Sequence, residues 1–260
     1  GIKQNPLSYK NSDWWENNVI EIRKLFFQDK KLNVKNIKNA GNIKLINNIF
    51  HKKILDQNLK FLSEKSFWLA ASTHQGEEKL CLETHLALKK EIKDIVTIIA
   101  PRHINRSLEI KKLSESFNLD TQIFKKDELI SDNKEVIIIN SFGVLSNFYK
   151  FAKSVFVGKS MIHKLKDVGG QSPIEAAQLG CKVYHGPYIY NFKEIYNILN
   201  ENGISEKIED SKHLADKVLK DLVAFNNNKE SFSVIMNDLS QATLNETMKN
   251  LNNFIFDVNK

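Results

Sequence analysis

Cysteine, proline and glycine are scarce in this chain, with 2, 4 and 10 residues respectively among 260. Two thiols, Cys81 and Cys181, sit in apolar helical or strand-edge contexts. They argue against a disulfide framework and for buried free cysteines in a reducing compartment. There is no Pro/Ser-rich linker and no internal repeat, and 260 residues make one large domain or one domain with appendages. No apolar run approaches the ~18 residues needed to cross a bilayer. The chain opens on Gly1 without a signal-peptide pattern, which suggests a processed chain or a fragment. Several catalytic signatures are missing too. Gly158-Lys159-Ser160 lacks the earlier glycine of a P-loop, no GxGxxG follows the first strand, and no GxSxG elbow occurs.

What is present begins with charge. There are 38 Lys+Arg against 31 Asp+Glu, a formal net charge of +7. Lysine is spread along the chain beside many asparagines and isoleucines, which fits a compositional bias. Lysines and aromatics do not interleave on any one strand face, so no nucleic-acid partner is expected. Attraction to an anionic membrane surface is the other reading of the charge. The hydrophobic share of 42% supplies a core, and the mean hydropathy of -0.37 suits a soluble protein.

Periodicity predicts the organisation. Asn11–Gln28 carries Trp14, Trp15, Val19, Ile22, Leu25 and Phe26 at helical spacing, and a further helix is expected over Asn47–Lys60. From Ser66 onward short apolar runs alternate with helices. Strands are expected at 67–72, 96–100, 121–124, 136–139, 154–158 and, last, Val183-Tyr184. Helices are expected at 77–91, 105–117, 145–153, 173–179 and 191–202. Continuous apolar strands alternating with helices predict a parallel sheet covered on both faces, a Rossmann-like α/β fold. The expected division is an N-terminal helical segment over 1–41, the sheet domain over 42–203 and a C-terminal helical segment over 204–260.

In open parallel sheets ligands bind beyond the carboxyl ends of the strands. Those ends read Ala71-Ser72-Thr73-His74-Gln75-Gly76-Glu77-Glu78, Pro101-Arg102-His103, Asn140-Ser141-Phe142-Gly143, Gly158-Lys159-Ser160 and His185-Gly186-Pro187. Arg102 is placed to reach a phosphate with two parallel hydrogen bonds. His74 and His103 are weak acid–base candidates. Together with His185 they lack metal-site spacing, so no metal is expected. Gly169-Gly170-Gln171-Ser172-Pro173-Ile174-Glu175 leads into a helix whose first amides suit an anion. Its Glu175 would repel phosphate and suits sugar hydroxyls instead, which points to a nucleotide-sugar site.

Six pieces in order carry a resemblance to a known family. They are Ala40-Gly41-Asn42-Ile43-Lys44, Trp68 to His74 with Gly76-Glu77-Glu78, Ile99 to His103, Phe156-Val157-Gly158, Gly169-Gly170-Gln171 with Pro173-Ile174-Glu175, and Gly186-Pro187 with Asn191-Phe192. Over about 34–203 the chain resembles the C-terminal half of the 3-deoxy-D-manno-octulosonic acid (Kdo) transferases. The resemblance implies the donor-binding domain of a two-domain GT-B glycosyltransferase. Such an enzyme transfers Kdo from CMP-Kdo to a lipid A precursor with inversion, without a metal or other cofactor, in lipopolysaccharide biosynthesis.

By position, Pro101 and Arg102, then Phe142, Gly143 and Val144, then Ser172, Pro173, Ile174 and Glu175 match the family's nucleotide contacts. Val144 stands where the family usually has Glu, and Ser172 where it has Asn. The loop between Gly158 and Gly169 also looks longer, with three lysines in it. The family's catalytic glutamate belongs to its N-terminal domain, so no catalytic residue is expected here. The implied location is the cytoplasmic face of the bacterial inner membrane, peripheral or anchored through an N-terminal part. The alternatives are another GT-B nucleotide-sugar transferase or epimerase, or a non-catalytic nucleotide-sugar binding module.

Overall fold

Residues 42–46, 52–224 and 229–258 of this computed structural model are described below. The helix expected over 11–28 and the segment 1–41 apart from these lie outside the described residues.

Seven strands make one sheet: β1 Phe67–Thr73, β2 Val96–Pro101, β3 Thr121–Phe124, β4 Val136–Ile139, β5 Ser154–Val157, β6 Lys182–His185 and β7 Ser205–Lys207. Their order is β3-β4-β2-β1-β5-β6-β7, and every pairing is parallel. The helices are α1 Asp56–Glu64, α2 Glu77–Lys89, α3 Ser107–Ser116, α4 Leu145–Tyr149, α5 Ile174–Gln178, α6 Lys193–Glu201, α7 Ser211–Val223 and α8 Lys229–Val258.

The inner strands form because both of their faces are covered. All four residues of β4, Val-Ile-Ile-Ile, are buried, as are all of β2 and β5. Stiff β-branched side chains suit a pleated surface closed on both sides. Trp68 on β1 is fully buried, and its indole Nε1 donates to Thr97 Oγ1 at 2.7 Å. Around it Leu82, Ile99, Ile138, Phe156, Leu214 and Val218 pack into one cluster that joins sheet, α2 and α7. The Thr84 hydroxyl donates to Ser211 O at 3.1 Å, tying α2 to the start of α7. Both cysteines are free and buried, as their apolar settings led one to expect.

The structure departs from the sequence expectations at three points. A seventh strand follows the one expected to be last. Ser205-Glu206-Lys207 contains no apolar residue, yet it pairs with β6 at the sheet edge, between the buried Ile204 and Ile208. Residues 52–55 are not helical. The Lys52 N–H donates to Gly143 O at 2.8 Å and the Lys52 carbonyl accepts from Asn147 Nδ2 at 2.8 Å, so this stretch stays extended until α1 starts at Asp56. Helix α4 ends at Tyr149 rather than near 153, because its last carbonyls turn to other donors. Lys229 Nζ reaches Tyr149 O at 2.7 Å and Ala152 O at 2.8 Å.

The sheet, α1 to α7 and the start of α8 form one compact unit over Asn47–Leu239; Gly1–Ile46 and Ser240–Lys260 form a second. The boundary expected at 203/204 falls between α6 and β7, within the first unit. In the second unit the Ser240 hydroxyl donates to Leu45 O.

Candidate functional site

From β1 the chain winds one way through β2, and β5 begins the other half of the sheet on the opposite side of β1. The carboxyl ends of β1 and β5 therefore border the switch point where doubly wound sheets bind ligands. A single carboxylate organises that border. Glu77, the first residue of α2, is only 1% exposed. Its Oε2 accepts from the backbone N–H of His74 at 2.9 Å and of Lys159 at 2.7 Å. Its Oε1 accepts from Ser160 N–H at 2.8 Å and Met161 N–H at 3.0 Å. Four donors make a buried charge tolerable. They also weld the loop after β5 to the loop after β1. Gly158 is obligatory there, since a Cβ would stand 2.7 Å from Glu77 Oε2, Ser72 O and Thr73 Cα.

Pro101 is the buried last residue of β2, where its missing N–H costs little. Arg102 follows it, exposed, with its backbone N–H on Thr73 O at 3.0 Å. The Arg102 guanidinium makes no hydrogen bond or ion pair among the described residues. Arg106 contrasts with it. Its guanidinium grips Glu78 at 2.7 and 3.1 Å and also contacts Glu109. Those carboxylates raise its pKa against the desolvation that burial imposes.

After β4, Phe142 is 61% exposed, Gly143 takes φ +80, and Val144 is fully buried. Val144 thus offers only its backbone to this rim. The chain of Lys52 lies against Gly143, with carbons 3.5–3.7 Å from where a Cβ would sit.

In the third segment Ser172 is exposed while Pro173 and Ile174 are buried. Helix α5 begins at Ile174, with Pro173 as its N-cap, and has five residues. So short a helix carries little macrodipole. Glu175 is half-buried, and burial raises its carboxyl pKa. Gly170, at φ +87, donates its N–H to Lys159 O at 2.6 Å and so joins this segment to the end of β5.

The histidines separate into two settings. His74 and His103 meet edge to face, with ring centres 5.8 Å apart. His74 Nδ1 lies 3.1 Å from Ser72 O, and burial holds its pKa down. His185 is buried against the Tyr196 ring at 4.3 Å, with Nδ1 on Gly186 O at 2.7 Å, away from the other two loops' rings. Among the described residues no His, Cys, Asp and Glu cluster is arranged to hold a metal ion. A cavity of about 270 Å³ lies at the amino-terminal ends of β5 to β7. Lysines 153, 182 and 229 on its wall already cap main-chain carbonyls of Leu222, Gly203 and Tyr149. It is less suited to a ligand than the opposite rim.

Sequence reading missed Glu77 as the organiser of the rim. It placed Glu77 in the loop after the first strand and among the pieces of the resemblance, without a role of its own.

The parallel sheet, its switch point and this rim define a Rossmann-like domain of the type that forms the C-terminal half of GT-B glycosyltransferases. The C-terminal CMP-Kdo binding domain of WaaA from Acinetobacter baumannii superposes with a TM-score of 0.63 at 23% identity, over 76% of this chain and 97% of that one. By sequence the chain is similar to the Kdo transferases. It is 29% identical over 221 residues to the 3-deoxy-D-manno-octulosonic acid transferase of Haemophilus influenzae, covering 80% of this chain and 46% of that protein. Against the Aquifex aeolicus transferase the identity is 27% over 169 residues, covering 62% of this chain and 45% of the relative. The chain thus spans about half the length of the curated relatives it matches. No family model matches it.

Proposed function

We propose that this chain is the donor-binding half of a Kdo transferase. It holds CMP-Kdo on the carboxyl-end rim, for transfer of Kdo to a lipid A precursor with inversion. The observation that carries this reading is Arg102. It is an exposed guanidinium at the exit of β2 with no hydrogen bond or ion pair among the described residues, in a chain whose relatives are named Kdo transferases.

Arg102 neutralises the CMP phosphate in the bound donor and stabilises it as CMP leaves. Phe142 offers an exposed ring, and Gly143, beside the Lys52 side chain, and Val144 offer main-chain contacts. The Glu175 carboxylate accepts from ribose hydroxyls and the Ser172 hydroxyl accepts or donates, with Pro173 and Ile174 shaping that turn from below. The carboxylate that deprotonates the acceptor hydroxyl lies outside these residues, so this half binds donor without turning it over. The acceptor places the enzyme against an anionic membrane surface, at the cytoplasmic face of the inner membrane, where a net charge of +7 favours contact.

Calorimetry with CMP, UMP and GMP tests the reading. CMP-selective binding that falls about tenfold or more in Arg102→Ala is expected. Equal binding of the three nucleotides, or none, overturns it.

A further inference from the structure

Three non-glycine residues among those described have a positive φ. Asn118 ends helix α3, a position that asparagine fills readily. The other two, Ser72 at +56 and Lys159 at +59, stand at the carboxyl ends of β1 and β5, on neighbouring strands beside the switch point. A lysine in this conformation is strained where glycine would be relaxed.

The strain is imposed from both sides. The Lys159 N–H is fixed by Glu77 and its carbonyl by the Gly170 N–H. The next residue is fixed as well, since Ser160 Oγ donates to Val157 O and accepts from Gly186 N–H at 2.9 Å. The backbone is therefore held rigid, while the Lys159 ammonium has no hydrogen bond or ion pair among the described residues. Of the nearby charges, Glu77 is saturated by four N–H groups. The Lys159 ammonium is close enough to add a smaller contribution to the burial that lowers the His74 pKa. The hydroxyl of Thr73, the last residue of β1, is fully buried without a partner on this same border.

A nucleotide-linked sugar acid brings two negative groups, a phosphodiester and a carboxylate. Arg102 follows β2 on one side of β1, and Lys159 follows β5 on the other. We propose that Lys159 is the residue that receives the carboxylate of the donor sugar acid, leaving Arg102 to the phosphate. The inference rests on the reading of this rim as a CMP-Kdo site. It accounts for a strained lysine where a glycine would fold more easily.

The test compares CMP and CMP-Kdo binding to the wild-type chain, Lys159→Gly and Lys159→Gln by calorimetry, with thermal melts alongside. Lys159→Gly relieves the backbone, so its melting temperature holds or rises. Lys159→Gln keeps the strained side-chain-bearing backbone and removes only the charge. Both variants are expected to bind CMP within about twofold of wild type and CMP-Kdo about tenfold more weakly. Equal changes for the two ligands, or no change in either, overturn the assignment. Failure of the wild-type chain to bind CMP overturns the donor-site reading itself, and this inference with it.

Discussion

The ring nitrogen Nδ1 of His85 lies 2.9 Å from the hydroxyl of Thr97, in the interior of the sheet domain. The same Thr97 oxygen accepts from Trp68 Nε1, and the other ring nitrogen of His85 is Nε2. That nitrogen faces Glu135 at 3.9 Å without a hydrogen bond. Burial outweighs the carboxylate and brings the His85 pKa down from 6.5 to about 4.

Stability should consequently fall with acid. Between about pH 6.5 and 4 the unfolded chain binds a proton at this histidine that the folded chain refuses. Stability is fully present above 6.5 and drains away as pH falls towards 4, by an amount on the order of 3 kcal/mol. Urea unfolding at pH 7 and pH 4.5 measures it. The drop should be smaller by most of that amount in His85→Gln, and an equal drop in both proteins would refute the assignment.

Glu77 and Gly158 should behave as one device. Glu77→Gln puts an amide nitrogen against backbone N–H groups and leaves at least one of them unsatisfied, at a cost of about 3 kcal/mol. Gly158→Ala drives a methyl into the same carboxylate and costs about 1–3 kcal/mol from overpacking. Because both lesions loosen one joint, the double variant should lose less than the sum of the singles. Additive losses in chemical denaturation would show two independent sites.

Glu175 gives a pH signature to nucleotide binding. Its carboxyl pKa is raised by burial, and a hydroxyl donated by the ligand favours the ionised form. Affinity for CMP should therefore decline as pH falls through the raised Glu175 range, beyond the titration of CMP itself. Glu175→Gln should retain only the ligand's own pH dependence. Parallel profiles for the two proteins would remove Glu175 from the site.

Much of the sheet was legible because its strands are buried on both faces, so Val136–Ile139 or Val96–Ala100 could only be core. The edge strand β7 was not, since Ser-Glu-Lys needs no apolar side chain when one flank faces solvent and Ile204 and Ile208 anchor its ends. The break before α1 was hidden for another reason. Lys52 is held extended by Gly143 and Asn147, partners some ninety residues away that no local pattern reveals. At the rim, Arg102 was legible from its place after a strand and a proline. Val144 was assigned as a contact, yet its side chain belongs to the core. Glu77 looked like any acidic residue in a first helical turn, for three of its four partners come from the far half of the domain. Lys159 read as one lysine among many, because backbone strain leaves no mark on composition.

The Glu77 anchor also sets an order of events during synthesis. Three of its four donors are 82, 83 and 84 residues further along the chain. At ribosomal rates of about 5–20 residues per second, they arrive roughly 4–16 s after it. Until then the carboxylate must stay in water, and the start of α2 cannot dock. Strands β1 to β4 emerge first but form only one flank of the sheet, with the central strand open on its β5 side. Protease sensitivity at the start of α2 should persist in nascent chains stalled near residue 150 and disappear in those stalled well beyond 200. The segment that completes the ligand rim is also the one that lets the first half of the domain close.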